Sequence, residues 1–210
     1  MNILLINHYA GSPELGMEFR PYYMAKEWVK MGHQVLIIGG SFSHLRKIQP
    51  QGEESLIEGI RYRWVKLNAY KGNGMGRIWS MFSFVSKLWW GYEKYIGDFE
   101  PDVVIASSTY PLDIYPAHRI AKHYGAKLVY EVHDLWPLSP MEIGGYSKWH
   151  PFIMVMQRAE NFAYKHVHRV VSLLPNAWEH MKKHGLKEGK FVYVPNGFDE
   201  EEWKEGESVS

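Results

Sequence analysis

The feature of this sequence that most restricts its fold is a regular alternation of short aliphatic runs with amphipathic segments. The aliphatic runs have the length and composition of buried strands, and they span residues 2–7, 34–40, 60–67, 102–108, 127–133, 169–174 and 190–195. Because they lack strict apolar–polar alternation, we expect a sheet covered on both faces. Helical periodicity is found in the segments 17–31, 112–124, 152–166 and 176–184. This order predicts βαβ units and an α/β fold with a doubly wound, mainly parallel, Rossmann-like sheet.

Glycines and polar stretches mark the boundaries of these elements. Gly32 and Gly125 stand where a helix has to end before the next strand begins. Residues 41–59 and 68–76 are polar and glycine-rich, so they predict loops. Within the first of these, residues 57–60 predict a turn between two short strands.

The domain organisation predicted by the sequence is simple. The sequence contains no internal repeat or low-complexity tract, so residues 1–199 are interpreted as one Rossmann-like domain. Residues 200–210 are acidic and poor in apolar side chains, which is typical of a tail or of the start of an interdomain linker.

Charge and cysteine content exclude several classes of function. Lys and Arg total 24 against 23 Asp and Glu, and this balance disfavours the basic field that nucleic-acid binding requires. The absence of cysteine excludes disulfides and thiolate metal sites and favours a reducing compartment. No run approaches the roughly 18 apolar residues typical of a membrane-spanning helix. We therefore expect a cytoplasmic protein, with contact to the inner face of the cytoplasmic membrane left open.

The loop after the first strand, HYAGSPELGMEFR, is a candidate binding loop. Ligands of doubly wound sheets gather at the carboxyl ends of the strands, and Gly11 and Gly16 would let the backbone approach an anion there. Met17 and Arg20 follow in the same segment, where the arginine could meet a phosphate or carboxylate. The pattern is not G-x-G-x-x-G, so it does not predict a dinucleotide site. A simple flexible turn and a solvated or salt-bridged surface arginine remain the alternatives.

The decapeptide EVHDLWPLSP ends a predicted strand with an unusual density of polar groups. His133 could donate a hydrogen bond to a sugar hydroxyl, while Asp134 fixes its tautomer or accepts from hydroxyls. Trp136 would shape the wall of the same site. The alternative is a buried His–Asp pair that only closes a loop.

Two further groups of polar residues have weaker signals. Ser107 and Thr109 follow another predicted strand and could bind substrate hydroxyls, although one of the polar residues of SSTYPLD is expected to cap a helix. His180 and His184 have the i, i+4 spacing of a chelating pair, but neither further ligands nor H-E-x-x-H accompany them. They are interpreted as exposed histidines, and no metal site is predicted.

The segment 77–95 is a helix in which aromatic residues occupy most of the circumference. Trp89 and Trp90 are adjacent, so they cannot both face one core. A core helix with a partner interface is the first interpretation. The second is peripheral membrane contact through these tryptophans, with Lys87 and Lys94 at the headgroup layer.

Four stretches occur in an order typical of a known family, namely MNILLINHYAGSPELGMEFRPYYMAKEWVKMGHQVLIIGG, IEGIRYRWV, YEVHDLWPLSP and VYVPNGFD. Together they resemble the N-terminal half of retaining glycosyltransferases of family 4, which have the GT-B architecture and include enzymes that build bacterial polysaccharides. The resemblance implies that His133 contacts the transferred sugar with support from Asp134, and that the loop from Gly11 to Gly16 faces the donor diphosphate and the acceptor. It also implies that Asn196 and Gly197 begin the interdomain hinge.

The same resemblance implies what this chain would need in order to act. The C-terminal donor-binding domain, with its E-x7-E type motif, is absent, so the 210 residues alone are expected to be inactive. The full enzyme would use a nucleotide-diphosphate sugar and a sugar or lipid-linked sugar acceptor, without a cofactor or catalytic metal. A non-catalytic carbohydrate- or nucleotide-binding module is the alternative. A dehydrogenase or epimerase is a third hypothesis, which the missing G-x-G-x-x-G disfavours.

Overall fold

A single sheet of eight strands organises the computed structural model, which describes residues 1–72, 74–199 and 203. The strand order is β3-β4-β2-β1-β5-β6-β7-β8, and every neighbouring pair is parallel apart from the antiparallel β3–β4 hairpin. The strands are β1 Asn2–Ile6, β2 Gln34–Gly40, β3 Glu54–Ile57, β4 Ile60–Val65, β5 Val103–Ala106, β6 Lys127–Val132, β7 Arg169–Ser172 and β8 Phe191–Tyr193. The helices are α1 Arg20–Lys30, α2 Met75–Ile96, α3 Ile114–Tyr124, α4 Leu138–Gly144, α5 Pro151–His166 and α6 Ala177–Lys183, and a short 3-10 helix, Pro111–Asp113, precedes α3.

Two hydrophobic layers cover the faces of this sheet. Leu4 and Ile6 of β1 point into the larger layer, which is shared with α2, α3, α5 and α6. Ile3 and Leu5 point into the smaller layer, which lies under α1. Successive residues of a strand face opposite sides, so a run buried on both faces has to be apolar throughout. The prediction of a doubly wound, mainly parallel α/β sheet is confirmed.

The topology creates a crevice at one place along the sheet. From β1 the chain moves to β2 and β4 on one side, and it later returns to β5 on the other side of β1. The connections that leave β1 and β5 therefore diverge, and the carboxyl ends of these two strands flank a switch point. Ligands of open α/β sheets bind at such points.

The boundaries agree with the sequence in most elements and differ in three. Helix α1 begins at Arg20 rather than at residue 17, because the preceding residues belong to a loop that folds back on β1. Residues 54–57, predicted as loop, form strand β3 and pair with β4 through the predicted turn. Helix α4 was not predicted, since its seven residues bury no side chain and give no periodic signal. The predicted tail, 200–210, lies outside the described residues except for residue 203.

The two adjacent tryptophans of helix α2 differ in exposure. Trp90 is 76% exposed. Trp89 is only half-buried on the flank of the helix, where the guanidinium of Arg119 lies 5.1 Å from its ring centroid. The two rings therefore do not face one core together, as their adjacency predicted, and contact with a membrane or partner stays a prediction. Over the described residues, no helix combines the length and the hydropathy needed to cross a bilayer.

Candidate active site

Three polar side chains meet at the carboxyl ends of β5 and β6, beside the switch point. The hydroxyl of Ser107 donates to Glu131 Oε2 at 2.7 Å. Ser107 Oγ lies 3.0 Å from His133 Nε2, and this ring nitrogen is also 3.3 Å from Glu131 Oε2. The side chains of residues 131 and 133 lie on the same side of the sheet, because side chains alternate along an extended strand. The result is a closed triangle of Ser107, Glu131 and His133, which we call the rim network.

The residue directly after β1, Asn7, also contacts the rim network. Asn7, fully buried, donates from Nδ2 to the backbone oxygen of Ser107 at 2.7 Å. Its Oδ1 accepts from the backbone amide of Tyr9 at 2.9 Å. One side chain thus fixes both the end of β5 and the start of the β1–α1 loop. These contacts fix the position of the loop relative to the rim network.

The charges of the rim network are strongly coupled. Burial opposes the imidazolium of His133, but the carboxylates of Glu131 and Glu18 outweigh it and raise the pKa of His133 to about 9. Burial also opposes ionisation of Glu131, yet the contacts with His133, Ser107 and Arg20 lower the pKa of Glu131 to about 2. The pair is therefore an imidazolium and a carboxylate at neutral pH. In that state His133 Nε2 donates a hydrogen bond to the hydroxyl oxygen of Ser107, and the Ser107 hydroxyl donates one to Glu131 Oε2.

Glu18 faces the other nitrogen of the same imidazole. Its Oε1 lies 3.7 Å from His133 Nδ1, which is an ion-pair distance but too long for a hydrogen bond. Its Oε2 is buried and has no hydrogen-bond partner among the described residues. A buried carboxylate oxygen normally accepts a hydrogen bond, so this atom calls for a donor from outside the network.

The loop that carries Glu18 is built on close backbone packing. The Gly11 amide donates to the Glu18 carbonyl at 2.9 Å, and a Cβ atom at residue 11 would lie 1.9 Å from the Gly16 carbonyl oxygen. Gly16 has a φ of 103°, which favours glycine. Buried Arg46 fixes the loop from below, since its Nε donates to the Ala10 carbonyl at 2.7 Å. Gly11 and Gly16 thus shape the turn that delivers Glu18.

Arg20 forms a salt bridge with a carboxylate of the same chain, which matches the salt-bridged alternative. Its Nε donates to Glu131 Oε1 at 3.0 Å. Its two terminal nitrogens donate to the carbonyls of Val194 and Pro195 and to Asn196 Oδ1 at 2.9–3.1 Å. The side chain is only 8% exposed, so the guanidinium is committed to the Glu131 carboxylate and to acceptors of residues 194–196. Arg20 links the rim network to the segment predicted as the hinge.

A second buried polar group lies behind Ser107. Asp113 is fully buried, and its Oδ2 accepts from the Ser108 amide at 2.9 Å. Burial raises the pKa of Asp113 to about 7, while the Ser108 hydrogen bonds and His133 act in the opposite direction. Neither Asp113 Oδ1 nor Thr109 Oγ1 has a partner among the described residues. The side-chain capping expected in this stretch is absent at the starts of both the 3-10 helix and α3.

The remaining predicted site residues take separate positions. The Asp134 carboxylate is exposed and accepts from Ser139 Oγ at 2.5 Å, so the carboxylates that hold His133 are those of Glu131 and Glu18 instead. Trp136 is half-buried and packs edge-on against Phe152. Met17 is 52% exposed.

Sequence analysis missed Glu18 and Glu131 as members of the site. A signal for Glu131 was present, because a carboxylate inside an aliphatic strand, two residues before His133, has to share a face with it and needs a partner when buried. Glu18 had no such signal, since its position depends on the fold of the loop. His133 and Ser107, by contrast, were found from their places directly after strands.

Metal-ligating side chains converge at a different place. Within residues 1–72, 74–199 and 203, one group of three such residues has its ligand atoms within 4.8 Å of one another, and it consists of Glu160, His180 and His184. None of these belongs to the rim network. His180 and His184 are both half-buried, so their interpretation as an exposed pair is wrong.

Several solved structures share this architecture. Sucrose-phosphate synthase from Thermosynechococcus elongatus superposes with a TM-score of 0.70 at 12% identity, covering 94% of this chain and 48% of that one. Anabaena HepE in complex with UDP-glucose superposes with a TM-score of 0.52 at 16% identity, covering 95% of this chain and 44% of that one. Arabidopsis thaliana UGT89C1 with UDP-L-rhamnose superposes with a TM-score of 0.53 at 12% identity, covering 95% of this chain and 53% of that one. At these identities the likeness shows the fold, and the chain spans about half the length of these structures.

Sequence comparisons add the family. No protein of curated function matches the chain significantly by sequence. The model of Glycosyltransferase Family 4, however, matches residues 16–202, which is most of the chain. The match includes Glu18, Arg20 and every residue of the rim network. With a Rossmann-like sheet similar to one half of GT-B glycosyltransferases, this chain belongs to Glycosyltransferase Family 4.

Proposed function

We propose that this chain is the acceptor-side domain of a retaining glycosyltransferase, which transfers a sugar from a nucleotide-diphosphate sugar to a glycan or lipid-linked acceptor in cell-surface polysaccharide synthesis. Family membership supports sugar transfer in general. The UDP-sugars named in the Anabaena and Arabidopsis structures support the class of donor. The observation that carries the proposal is the rim network facing Glu18 at the switch point of the sheet.

The chemistry of these residues suits a sugar. Glycosyl transfer builds positive charge on the sugar ring while a diphosphate leaves, so it requires fixed charges and hydrogen bonds in a site that excludes water. The unpartnered Oε2 of Glu18 would accept a hydrogen bond from a sugar hydroxyl. The imidazolium of His133, whose side chain is 5% exposed, would supply a fixed positive charge and an Nδ1 donor at the same place.

The proposal assigns the donor site to a second domain. Because this chain spans about half the length of the similar structures, a domain beyond it would bind the nucleotide and complete the cleft. The isolated 210 residues would then be inactive and would bind nucleotide sugars weakly. We also propose a cytoplasmic location and a reaction without cofactor or catalytic metal.

Glu18→Gln tests the site within the full-length protein. Measured with a panel of nucleotide-diphosphate sugars and glycan or lipid-linked acceptors, kcat/KM should fall at least about tenfold, since an uncharged amide is a weaker acceptor for a sugar hydroxyl. Glu14→Gln is the matched control, because Glu14 is an exposed carboxylate of the same loop, and it should stay within about twofold of the native protein.

Two results would contradict the proposal. One is equal kcat/KM for the Glu18→Gln and native proteins. The other is calorimetry in which the isolated chain binds a nucleotide sugar tightly while the full-length protein transfers no sugar. That outcome would identify a non-catalytic binding module.

The exposed face of α2 supports peripheral membrane contact. At 100° per residue, Met75, Trp79, Phe82 and Trp90 fall on one side of the helix, and all four are exposed. Lys94 is also exposed on this helix. Such an aromatic and basic helix is typical of binding in the headgroup layer.

Trp79→Ala with Trp90→Ala should abolish retention on vesicles that contain anionic phosphatidylglycerol, because the two rings are the largest exposed apolar groups of this face. Sedimentation measures the bound fraction, which should fall several-fold. Trp149→Ala is the control, since Trp149 is 72% exposed and lies outside α2. Equal sedimentation of the native and double-variant proteins would remove membrane contact from the proposal.

A further inference from the structure

Helices α5 and α6 share a cluster of metal-ligand side chains that sugar transfer does not use. Glu160, on α5, is 1% exposed and lies in the larger hydrophobic layer. Its Oε1 is 2.9 Å from His180 Nε2 on α6. His184, directly after α6, packs against His180 with ring centroids 4.4 Å apart and the ring planes tilted by 39°. A buried carboxylate and two imidazoles from separate helices are thus brought to one point.

The hydrogen bonds of this cluster depend on the tautomer of His184. The Gln157 amide nitrogen is within bonding distance of three acceptors, namely Glu160 Oε2 at 2.6 Å, Asn161 Oδ1 at 2.9 Å and His184 Nδ1 at 2.9 Å. It has two hydrogens to give. His184 Nδ1 is also 3.2 Å from Asn161 Oδ1, and it can serve that oxygen only if it carries the proton that would stop it accepting from Gln157. With that proton on Nδ1, every acceptor of the cluster has a donor, so a metal ion would have to displace protons from the imidazoles and would bind more tightly as the pH rises.

We infer that Glu160, His180 and His184 form a binding site for a divalent transition metal, with zinc as the preferred ion. Imidazole nitrogen and carboxylate oxygen are the ligands of zinc in sites with two histidines and one glutamate. Ligand atoms at about 2.1 Å from one zinc lie roughly 3.4 Å apart, and the three atoms offered here lie within 4.8 Å of one another. Small side-chain rotations therefore suffice to close the site.

Residues around the ligands already hold them in place. Tyr164, which is fully buried, donates its hydroxyl to Glu160 Oε1 at 2.8 Å. Gln157 holds the other carboxylate oxygen. Such outer contacts fix the orientation of metal ligands and tune their affinity. A bound zinc would clamp α5 to α6, the helix that leads the chain into β8.

Zinc titration of the metal-free 210-residue chain tests this inference. Calorimetry should show one equivalent bound with a Kd of about 1 μM or tighter, and the melting temperature should rise when zinc is added. His184→Ala should weaken binding by more than about 100-fold, because loss of a ligand exceeds the effect of an outer contact. Tyr164→Phe, which removes only the outer hydroxyl, should weaken it by about tenfold.

The chain has 11 histidines, so the control has to exclude zinc bound elsewhere. His166→Ala serves this purpose, since His166 on α5 is exposed and belongs to a second histidine pair. Its ring centroid lies 5.3 Å from that of His118. It should leave the affinity unchanged. The inference is overturned if the native chain shows no saturable binding at one equivalent. It is also overturned if His166→Ala weakens zinc as much as His184→Ala, or if Tyr164→Phe has no effect.

Discussion

Replacing Glu131 by alanine should lower the free energy of unfolding by roughly 3–5 kcal/mol, the largest effect expected of any single carboxylate in this chain. Glu131 is 5% exposed and is the common partner of Arg20, Ser107 and His133. Its removal leaves the Arg20 guanidinium without its counterion and the His133 imidazolium with only the more distant carboxylate of Glu18. Uncompensated buried charge is more costly than the ion pair was worth.

Urea denaturation monitored by tryptophan fluorescence measures this effect as a fall in the midpoint at constant slope. Glu53→Ala is the matched control, because Glu53 also forms an ion pair, with Lys94, but both groups are exposed. Exposed pairs contribute little, so this variant should be nearly as stable as the native chain. If Glu131→Ala lowers the free energy of unfolding as little as Glu53→Ala does, the Glu131 contacts do not stabilise the fold.

The second large effect is a pH dependence that depends on His133. The pKa of a histidine in the unfolded chain is about 6.5, and in the folded chain that of His133 is about 9. A raised pKa means that the folded state holds the proton more tightly, so the stabilisation is complete below pH 6.5 and is lost as the pH rises through 9. The stability difference between the native chain and His133→Ala should therefore be on the order of 3 kcal/mol larger at pH 6 than at pH 10.

Urea denaturation of both proteins between pH 6 and pH 10 gives this difference directly. The same His133→Ala substitution in a Glu131→Gln background is the control for its origin. There the carboxylate that holds the proton is gone, so the difference between the two proteins should be smaller and flatter with pH. A difference that stays constant, or grows, toward alkaline pH in the native background would show that His133 is not protonated in the folded chain.

The sheet and its order of elements were predictable because buried strands and helices leave a periodic signal in the sequence. Runs such as residues 34–40 and 127–133 are apolar on both faces, and only a covered sheet accommodates that pattern. Helix α4 gave no such signal, since it buries no side chain. Strand β3 was predicted only as an unbounded short strand before the turn, because residues 54–57 alternate poorly and lie at the edge of the sheet.

The site was predictable only where topology alone decides position. Ser107 and His133 follow neighbouring strands of a parallel sheet, whose carboxyl ends have to meet at one edge. Their partners could not be assigned in the same way. Asp134 is next to His133 in sequence, yet it points to Ser139, while Glu18 reaches the imidazole through a loop whose path depends on Gly11 and Gly16. Side-chain partners are set by tertiary packing, which sequence spacing does not report.

Arg20 gives the domain a mechanical property. Its guanidinium ties the buried Glu131 to the segment Val194 to Asn196 through three donated hydrogen bonds. Any displacement of that stretch relative to the sheet has to break these bonds or drag the arginine away from the carboxylate. The two effects are reciprocal. A change in the charges around Glu131 alters the free energy needed to displace residues 194–196, and a displacement of these residues alters the electrostatic environment of Glu131.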